Sequence, residues 1–182
     1  RGLGDVYKRQ THGSGWARIE KNGKTVNIVT LHTWPQGYAY EAKDRDASRA
    51  ENGGDKYRRM EMEYICNHTI HSVPGAEKQL WMMMGDFNSR SSRDNWFYKY
   101  PAGDMRFLVH DYILQNTPYV DVIAEKYPGE FKTTTGGKSR IDFVYCTPPL
   151  YERVTHADVV TDAYTGPVRD PGKLSNFWHP SD

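Results

Sequence analysis

With 182 residues, the chain has the usual size of one globular domain, and 13% aromatic residues are more than a disordered chain carries. Its 24 basic and 23 acidic residues give a formal net charge of +1, so no global basic field holds the chain on a phosphate backbone. The composition therefore predicts one folded domain and permits a nucleic-acid substrate without suggesting one.

The start of the chain predicts a leader, then a turn of hairpin type and a strand. Residues 1–10 begin without Met and show no clear period, so they are interpreted as a non-native leader and left out of the fold. The polar turn Lys21-Asn22-Gly23-Lys24 precedes a β-rich strand at 25–31. Its aliphatic residues are expected to be buried on both faces: Val26, Ile28, Val29 and Leu31.

The middle of the chain predicts a loop, a helix and a buried strand. Residues 38–55 are charged and contain Asn52-Gly53-Gly54, which predicts a loop, and residues 56–70 carry apolar side chains at helical spacing. The apolar run at 80–84 is bounded by turn residues and predicts a strand covered on both faces. This run is far shorter than a membrane span, so we expect no transmembrane segment in this chain.

The second half of the chain continues to alternate helices and strands. A polar loop leads to a short helix near 107–113, and another short helix is predicted at 120–126. Two further strands are predicted at 140–146 and 155–161. Cys66 and Cys146 are too few for a disulfide framework and match no metal motif. The pattern favours an α/β domain with a mixed or largely antiparallel sheet.

The segment Gly85-Asp86-Phe87-Asn88 directly follows the strand at 80–84. Residues two apart in an extended segment point to the same face, so the Asp86 carboxylate and the Asn88 amide project together while Phe87 turns to the core. Phosphoester hydrolysis needs an activated water and charge neutralisation, which carboxylates holding Mg²⁺ or Mn²⁺ supply. Gly, Asp and Asn are also ordinary turn residues, so the segment alone fits a plain turn equally well.

Three other polar residues lie at the ends of predicted strands or of the chain. A lone histidine such as His32 is more often a structural residue than a catalyst. Asp142 needs a partner, and an ion pair with Arg140 or a backbone amide would be the commoner outcome, with a histidine as the alternative. Asp182 ends the chain and carries no information by itself.

Four motifs nevertheless occur in an order that resembles the endonuclease/exonuclease/phosphatase family. They are Leu31-His32-Thr33, Gly85-Asp86-Phe87-Asn88, Ser139-Arg140-Ile141-Asp142-Phe143 and Ser181-Asp182. The resemblance covers residues 27–182 and implies an α/β fold that is half of a four-layer α/β sandwich with mixed, largely antiparallel sheets. Residues 11–182 would then be a partial domain that lacks its N-terminal part and its last strand.

The resemblance implies a phosphoric ester hydrolase that depends on Mg²⁺ or Mn²⁺. Asp86 would position or deprotonate the attacking water and hold the metal together with Asn88 and Asp182. His32, Asn88 and Arg140 would contact the phosphate, and Asp142 would pair with a histidine that follows Asp182 in the family. Strand directions agree, because His32 and Asp86 end their strands while Asp142 and Asp182 precede theirs, which brings them to one rim.

Two departures from the family and two alternatives complete the prediction. The family's principal metal-binding Glu and a phosphate-binding Asn have no counterpart, so the 182-residue chain is expected to be inactive or very weak alone. The alternative is a non-catalytic binding or structural module with the same fold, and a nucleic-acid-binding protein ranks last because basic residues are dispersed. Among the basic residues near the motifs, we assign only Arg140 to phosphate, over Arg90, Arg93, Lys132 and Lys138.

The substrate and the assembly are predicted only by class. The substrate would be a small-molecule, lipid-linked or nucleic-acid phosphate ester, and the near-neutral charge favours the first two. We expect a monomer. The sequence gives no preference between cytoplasm and export.

Overall fold

A five-stranded mixed sheet organises the computed structural model, which describes residues 11–135 and 138–160. The strands are β1 (Gly13–Lys21), β2 (Lys24–His32), β3 (Leu80–Asp86), β4 (Val120–Asp121) and β5 (Asp142–Cys146). Their order across the sheet is β1-β2-β3-β5-β4, and only the β2–β3 pair is parallel. The predicted α/β class with a mixed, largely antiparallel sheet is confirmed.

The helices connect these strands and supply the cover of the sheet. They are α1 (Arg45–Ala50), α2 (Gly53–His68), α3 (Asn95–Tyr98), α4 (Leu108–Asn116), α5 (Val122–Lys126) and α6 (Pro148–Tyr151). The long connection between the parallel strands β2 and β3 contains α1 and α2, as a parallel crossover requires. Helix α2 packs against α4. In the part of the chain that the structure describes, no helix is long and apolar enough to cross a membrane.

The predicted loop at 38–55 contains helix α1 and the first turn of α2, so this prediction was wrong in part. Asp44 caps α1 by accepting hydrogen bonds from the backbone N–H groups of Asp46 and Ala47. The glycines that suggested a loop instead allow two backbone segments to lie close together. Gly54 donates its N–H to the Gly37 carbonyl at 2.9 Å, and a Cβ on Gly54 would lie 2.2 Å from the Gln36 carbonyl oxygen.

One face of the sheet carries the core. Its fully buried side chains come from β2, β3, β5 and the two long helices, and include Val29, Trp81, Met83, Tyr145, Met62 and Ile113. On the opposite face Val26, Ile28, Met82 and Met84 are only half-buried. The prediction that β2 and β3 are covered on both faces is therefore wrong for the described residues, because α2 and α4 cover a single face.

The strand predicted at 155–161 is also wrong for residues 155–160, and Thr161 lies outside the described residues. This segment runs past α5, where side chains rather than a neighbouring strand bind its backbone. Lys126 Nζ donates to the Val154 carbonyl at 2.7 Å, and the Tyr127 hydroxyl donates to the Ala157 carbonyl at 3.0 Å. An alternating sequence without a strand partner thus forms no strand here.

Gly85 permits the close contact between β2 and β3. Its φ is +147°, and a Cβ at this position would lie 1.8 Å from the Leu31 carbonyl oxygen. Since the obstacle is backbone, a side chain here must push the two strands apart.

We expect Gly85→Ala to destabilise the protein by about 3 kcal/mol, because the substitution adds a backbone clash to an unfavourable φ. Urea unfolding followed by tryptophan fluorescence measures this loss. Gly15→Ala is the matched control, since its Cβ would meet only the Thr30 Oγ1 at 3.5 Å. Equal stabilities of the two variants would show that β2 and β3 tolerate separation at this point.

Candidate functional site

The strand register brings three of the predicted site residues to one rim of the sheet. His32 is the register partner of Asp86 across the parallel β2–β3 pair, and Asp86 is the partner of Asp142 across the antiparallel β3–β5 pair. Register partners point to the same face, and here it is the half-buried face. His32 Nε2 lies 3.8 Å from Asp86 Oδ2. Asp182 lies outside the described residues.

Asp86 is the central acid of this rim. Its side chain is 17% exposed, and Oδ1 accepts the backbone N–H of Asn88 at 2.7 Å. Burial raises the pKa of the Asp86 carboxyl, and the Asp142 charge raises it further, while the Asn88 N–H and His32 lower it. The carboxylate is thus more basic than a solvated aspartate, which suits a group that takes up a proton or accepts a positive ligand.

Asn88 is held in an unusual backbone conformation beside this acid. Its φ is 46°, in the left-handed region that Asn tolerates better than most residues. Its side-chain Nδ2 donates to the Thr33 carbonyl at 3.1 Å. That bond fixes the amide group and leaves its oxygen as the acceptor or ligand atom of the residue.

Main-chain hydrogen bonds fasten the motifs to each other. Thr33 N–H donates to the Asp86 carbonyl at 3.0 Å, and Phe87 N–H donates to the Ile141 carbonyl at 2.8 Å. The Thr33 hydroxyl donates to the Phe87 carbonyl at 2.6 Å. Phe87 itself is fully buried, which confirms the predicted alternation, and its ring packs edge-to-face on Phe143. The three motifs are therefore one backbone unit.

A buried acid and a buried base on α2 hold the segment that follows His32, and sequence analysis missed both. Glu61 accepts the Trp34 N–H at 2.8 Å and the His12 N–H. Arg58 donates to the carbonyls of Trp34 and Gln36 at 2.8 and 3.0 Å. Burial raises the pKa of the Glu61 carboxyl. Charged residues at helical spacing suggest a solvated face, so no local signal distinguished this pair.

Asp142 is exposed at the rim rather than enclosed. Its backbone N–H donates to the Thr134 hydroxyl at 3.2 Å, and its charge acts on Asp86. The ion pair with Arg140 that was the commoner expectation does not form, because Arg140 points into the interior. Asp142 is thus available to a partner at the rim.

Arg140 has a structural role, so its assignment to substrate phosphate is wrong. The residue is 1% exposed. Its Nε donates to Asp94 at 2.8 Å, and its two terminal nitrogens donate to Asp121 at 2.9 and 2.7 Å. Asp94 and Asp121 therefore accept hydrogen bonds from all three guanidinium nitrogens of Arg140. A phosphate at the rim could bind this guanidinium only if both ion pairs broke.

The donor types at the rim fit a hard divalent cation, although their number does not complete a site. The Asp86 carboxylate and the Asn88 amide oxygen are the ligand types that Mg²⁺ and Mn²⁺ prefer. Among residues 11–135 and 138–160, no group of three or more His, Cys, Asp or Glu side chains could hold a metal ion. Asp86 and Asn88 would therefore be two ligands of a larger set.

Solved structures share this fold. No family model and no curated protein sequence matches the chain. The chain aligns with an AP endonuclease from Archaeoglobus fulgidus at 18% identity and a TM-score of 0.50, over 75% of this chain and 54% of that one. The human nocturnin catalytic domain, solved with a bound sulfate anion, aligns at 13% identity and a TM-score of 0.48, over 74% and 40%.

A third structure is an endonuclease/exonuclease/phosphatase family protein from Bacteroides thetaiotaomicron, at 15% identity and a TM-score of 0.43, over 74% of this chain and 41% of that one. The chain spans about half the length of the structures it matches. At these identities the similarity establishes the fold, and the fold is the endonuclease/exonuclease/phosphatase fold that the motif order predicted. The first of these structures is, by its name, an endonuclease.

Proposed function

We propose that the protein is a metal-dependent hydrolase of phosphomonoester or phosphodiester bonds. The supporting observation is the rim itself: His32, Asp86 and Asp142 are register partners on adjacent strands, and Asn88 lies beside them. A purely structural rim gains nothing from placing two carboxylates opposite each other, because their repulsion costs stability. The arrangement is useful where a cation or a proton must be bound.

Each rim residue has a role that its environment supports. Asp86, which is half-buried beside His32, orients the attacking water and accepts its proton. His32 is half-exposed and donates a hydrogen bond to a phosphoryl oxygen. Asn88 orients water or phosphate through its fixed amide. A bound Mg²⁺ or Mn²⁺, held by Asp86, Asn88 and Asp182, would supply charge neutralisation on the phosphate.

The alternative is a non-catalytic module with the same fold. This chain covers 54% of the AP endonuclease structure. The proposal therefore assigns the activity to the full-length protein. We propose that the 182 residues alone are inactive or very weak. The environment of Asp86 favours the enzyme, since a binding module has no need for a half-buried acid facing a second acid.

Removal of the metal distinguishes a metal-dependent hydrolase from a non-catalytic module. In the full-length protein, we expect hydrolysis of p-nitrophenyl phosphate or bis(p-nitrophenyl) phosphate with Mg²⁺ present. Excess EDTA should reduce the rate by at least about 100-fold, since the metal carries several kcal/mol of transition-state stabilisation. Added Mg²⁺ or Mn²⁺ should restore the rate. Equal rates with and without EDTA would remove the metal from the proposal, and no hydrolysis of either compound would favour the non-catalytic module.

A further inference from the structure

A cleft lined by arginines lies next to the candidate site. It has a volume of about 640 Å³, and the residues that line it include Asn88, Arg49, Arg58, Arg90 and Arg106. Asn88 belongs to the rim, so the cleft begins where the proposed chemistry takes place. Four guanidinium groups around one concave surface form an environment for anions.

Three of these arginines already have a carboxylate partner. Arg58 pairs with Asp55 at 2.8 Å, Arg106 with Asp104 at 2.7 Å, and Arg49 with the exposed Asp46 at 2.6 Å. These pairs leave the three guanidinium groups with little uncompensated charge. An anion in the cleft would gain less from them than from an unpaired arginine.

Arg90 is the unpaired arginine. Within residues 11–135 and 138–160, no carboxylate lies at ion-pair distance from it, and its Nε is buried without a hydrogen-bond acceptor. Buried polar groups almost always have a partner, so Arg90 retains an unused hydrogen-bond donor in this structure. Arg58 Nε, on another residue of the same cleft, is also buried without an acceptor.

Aromatic rings and backbone bonds hold Arg90 in place. Its guanidinium lies 5.5 Å from the Tyr98 ring centre and 5.9 Å from that of Tyr100, and the two rings stack on each other. The backbone N–H of Arg90 donates to the Arg106 carbonyl at 3.3 Å. The Tyr98 hydroxyl in turn accepts a hydrogen bond from the backbone N–H of Arg140 at 3.0 Å. A cation that is positioned in advance loses little side-chain entropy on binding an anion.

We infer that this cleft binds a second phosphate of the substrate and that Arg90 is its principal ligand. Arg90 lies two residues beyond Asn88, so their Cα atoms are at most about 7 Å apart. Both residues also line the same cleft, so one small molecule that carries two phosphates can contact the rim and Arg90 together. The inference rests on the proposed function, because the rim would hold the first phosphate. It makes Arg90 a specificity residue in place of Arg140.

Binding measurements on the full-length protein test this inference. With glucose 1,6-bisphosphate and glucose 6-phosphate as probes, calorimetric titration should show that the bisphosphate binds at least about tenfold more tightly, as a charge-assisted pair supplies. In Arg90→Met the bisphosphate should bind only as tightly as the monophosphate, and the affinity for the monophosphate should not change. Met keeps most of the apolar stem that packs on the tyrosines.

Arg93→Met is the matched control, since Arg93 pairs with Glu125 on the surface away from the cleft, and it should keep the wild-type preference. The inference is overturned if wild-type protein binds both probes equally or if Arg90→Met weakens both to the same extent. Titration does not require turnover. A bisphosphate preference without any metal-dependent hydrolysis would therefore contradict the proposed function and leave the second-phosphate site in place.

Discussion

Asp86→Asn should reduce the proposed phosphoester hydrolysis by about 10³-fold in the full-length protein, because it removes the proposed proton acceptor and metal ligand at once. The substitution preserves the size of the side chain and leaves an amide oxygen that can still accept the Asn88 N–H. Its effect should therefore appear in kcat more than in folding. Steady-state rates at saturating Mg²⁺ measure the loss.

The same variant should be more stable than the wild type at neutral pH. The pKa of Asp86 is raised by burial and by Asp142, so its folded-state pKa exceeds the unfolded value. Such a group contributes stability below the unfolded pKa and loses that contribution as pH rises through the folded pKa. The neutral Asn avoids this loss, and a gain of roughly 1 kcal/mol is typical when a strained functional charge is removed.

Opposite signs for activity and stability distinguish a catalytic acid from a structural one. Asp46→Asn is the control, because Asp46 lies on α1 with its side chain 93% exposed; its activity should not change, and loss of its pair with Arg49 should cost less than about 1 kcal/mol. Should Asp86→Asn keep its full rate, or lose stability together with activity, the proposed role of Asp86 would be wrong.

Arg140→Met should destabilise the protein by about 3–5 kcal/mol, which is the usual cost of leaving buried charges without their partner. Asp94 and Asp121 are both buried and would face each other without a cation. Denaturant unfolding at pH 7 measures the loss. Because burial already raises the pKa of Asp94, we expect the deficit to shrink as pH falls and the Asp94 carboxylate becomes protonated.

A surface pair shows what an exposed arginine contributes by comparison. Arg93→Met breaks the pair with Glu125, in which both side chains are about one-third exposed, and should cost less than about 1 kcal/mol. If Arg140→Met cost no more than this control, the buried network would not be a main support of the fold.

The rim was predictable from sequence because the order of the motifs resembles a known family. Strand ends, alternation within a strand and strand direction agreed with placing His32, Asp86 and Asp142 together. The fold class followed from the alternation of predicted helices and strands along the chain. None of these steps required knowledge of which distant side chains meet.

The errors arose where distant side chains decide the structure. Arg140 lies 46 residues from Asp94 and 19 from Asp121 along the chain, and no local pattern shows that these residues meet. Glu61 and Arg58 look like solvated helix residues until the segment after His32 packs on them. Gly53 and Gly54 suggested a loop, although their actual role is to let two backbone segments lie close together. Such a close approach is a tertiary contact that local sequence does not show.

The hydrogen bonds from Thr33 to Asp86 and from Phe87 to Ile141 join the backbones of the three motifs beneath the site. His32 and Asp142 project from this frame, whereas the side chains of Asp86 and Asn88 also bond to its backbone. The chemistry of the rim is therefore separable from its geometry at His32 and Asp142. An engineer could exchange these two side chains to change that chemistry while the scaffold beneath them keeps its shape.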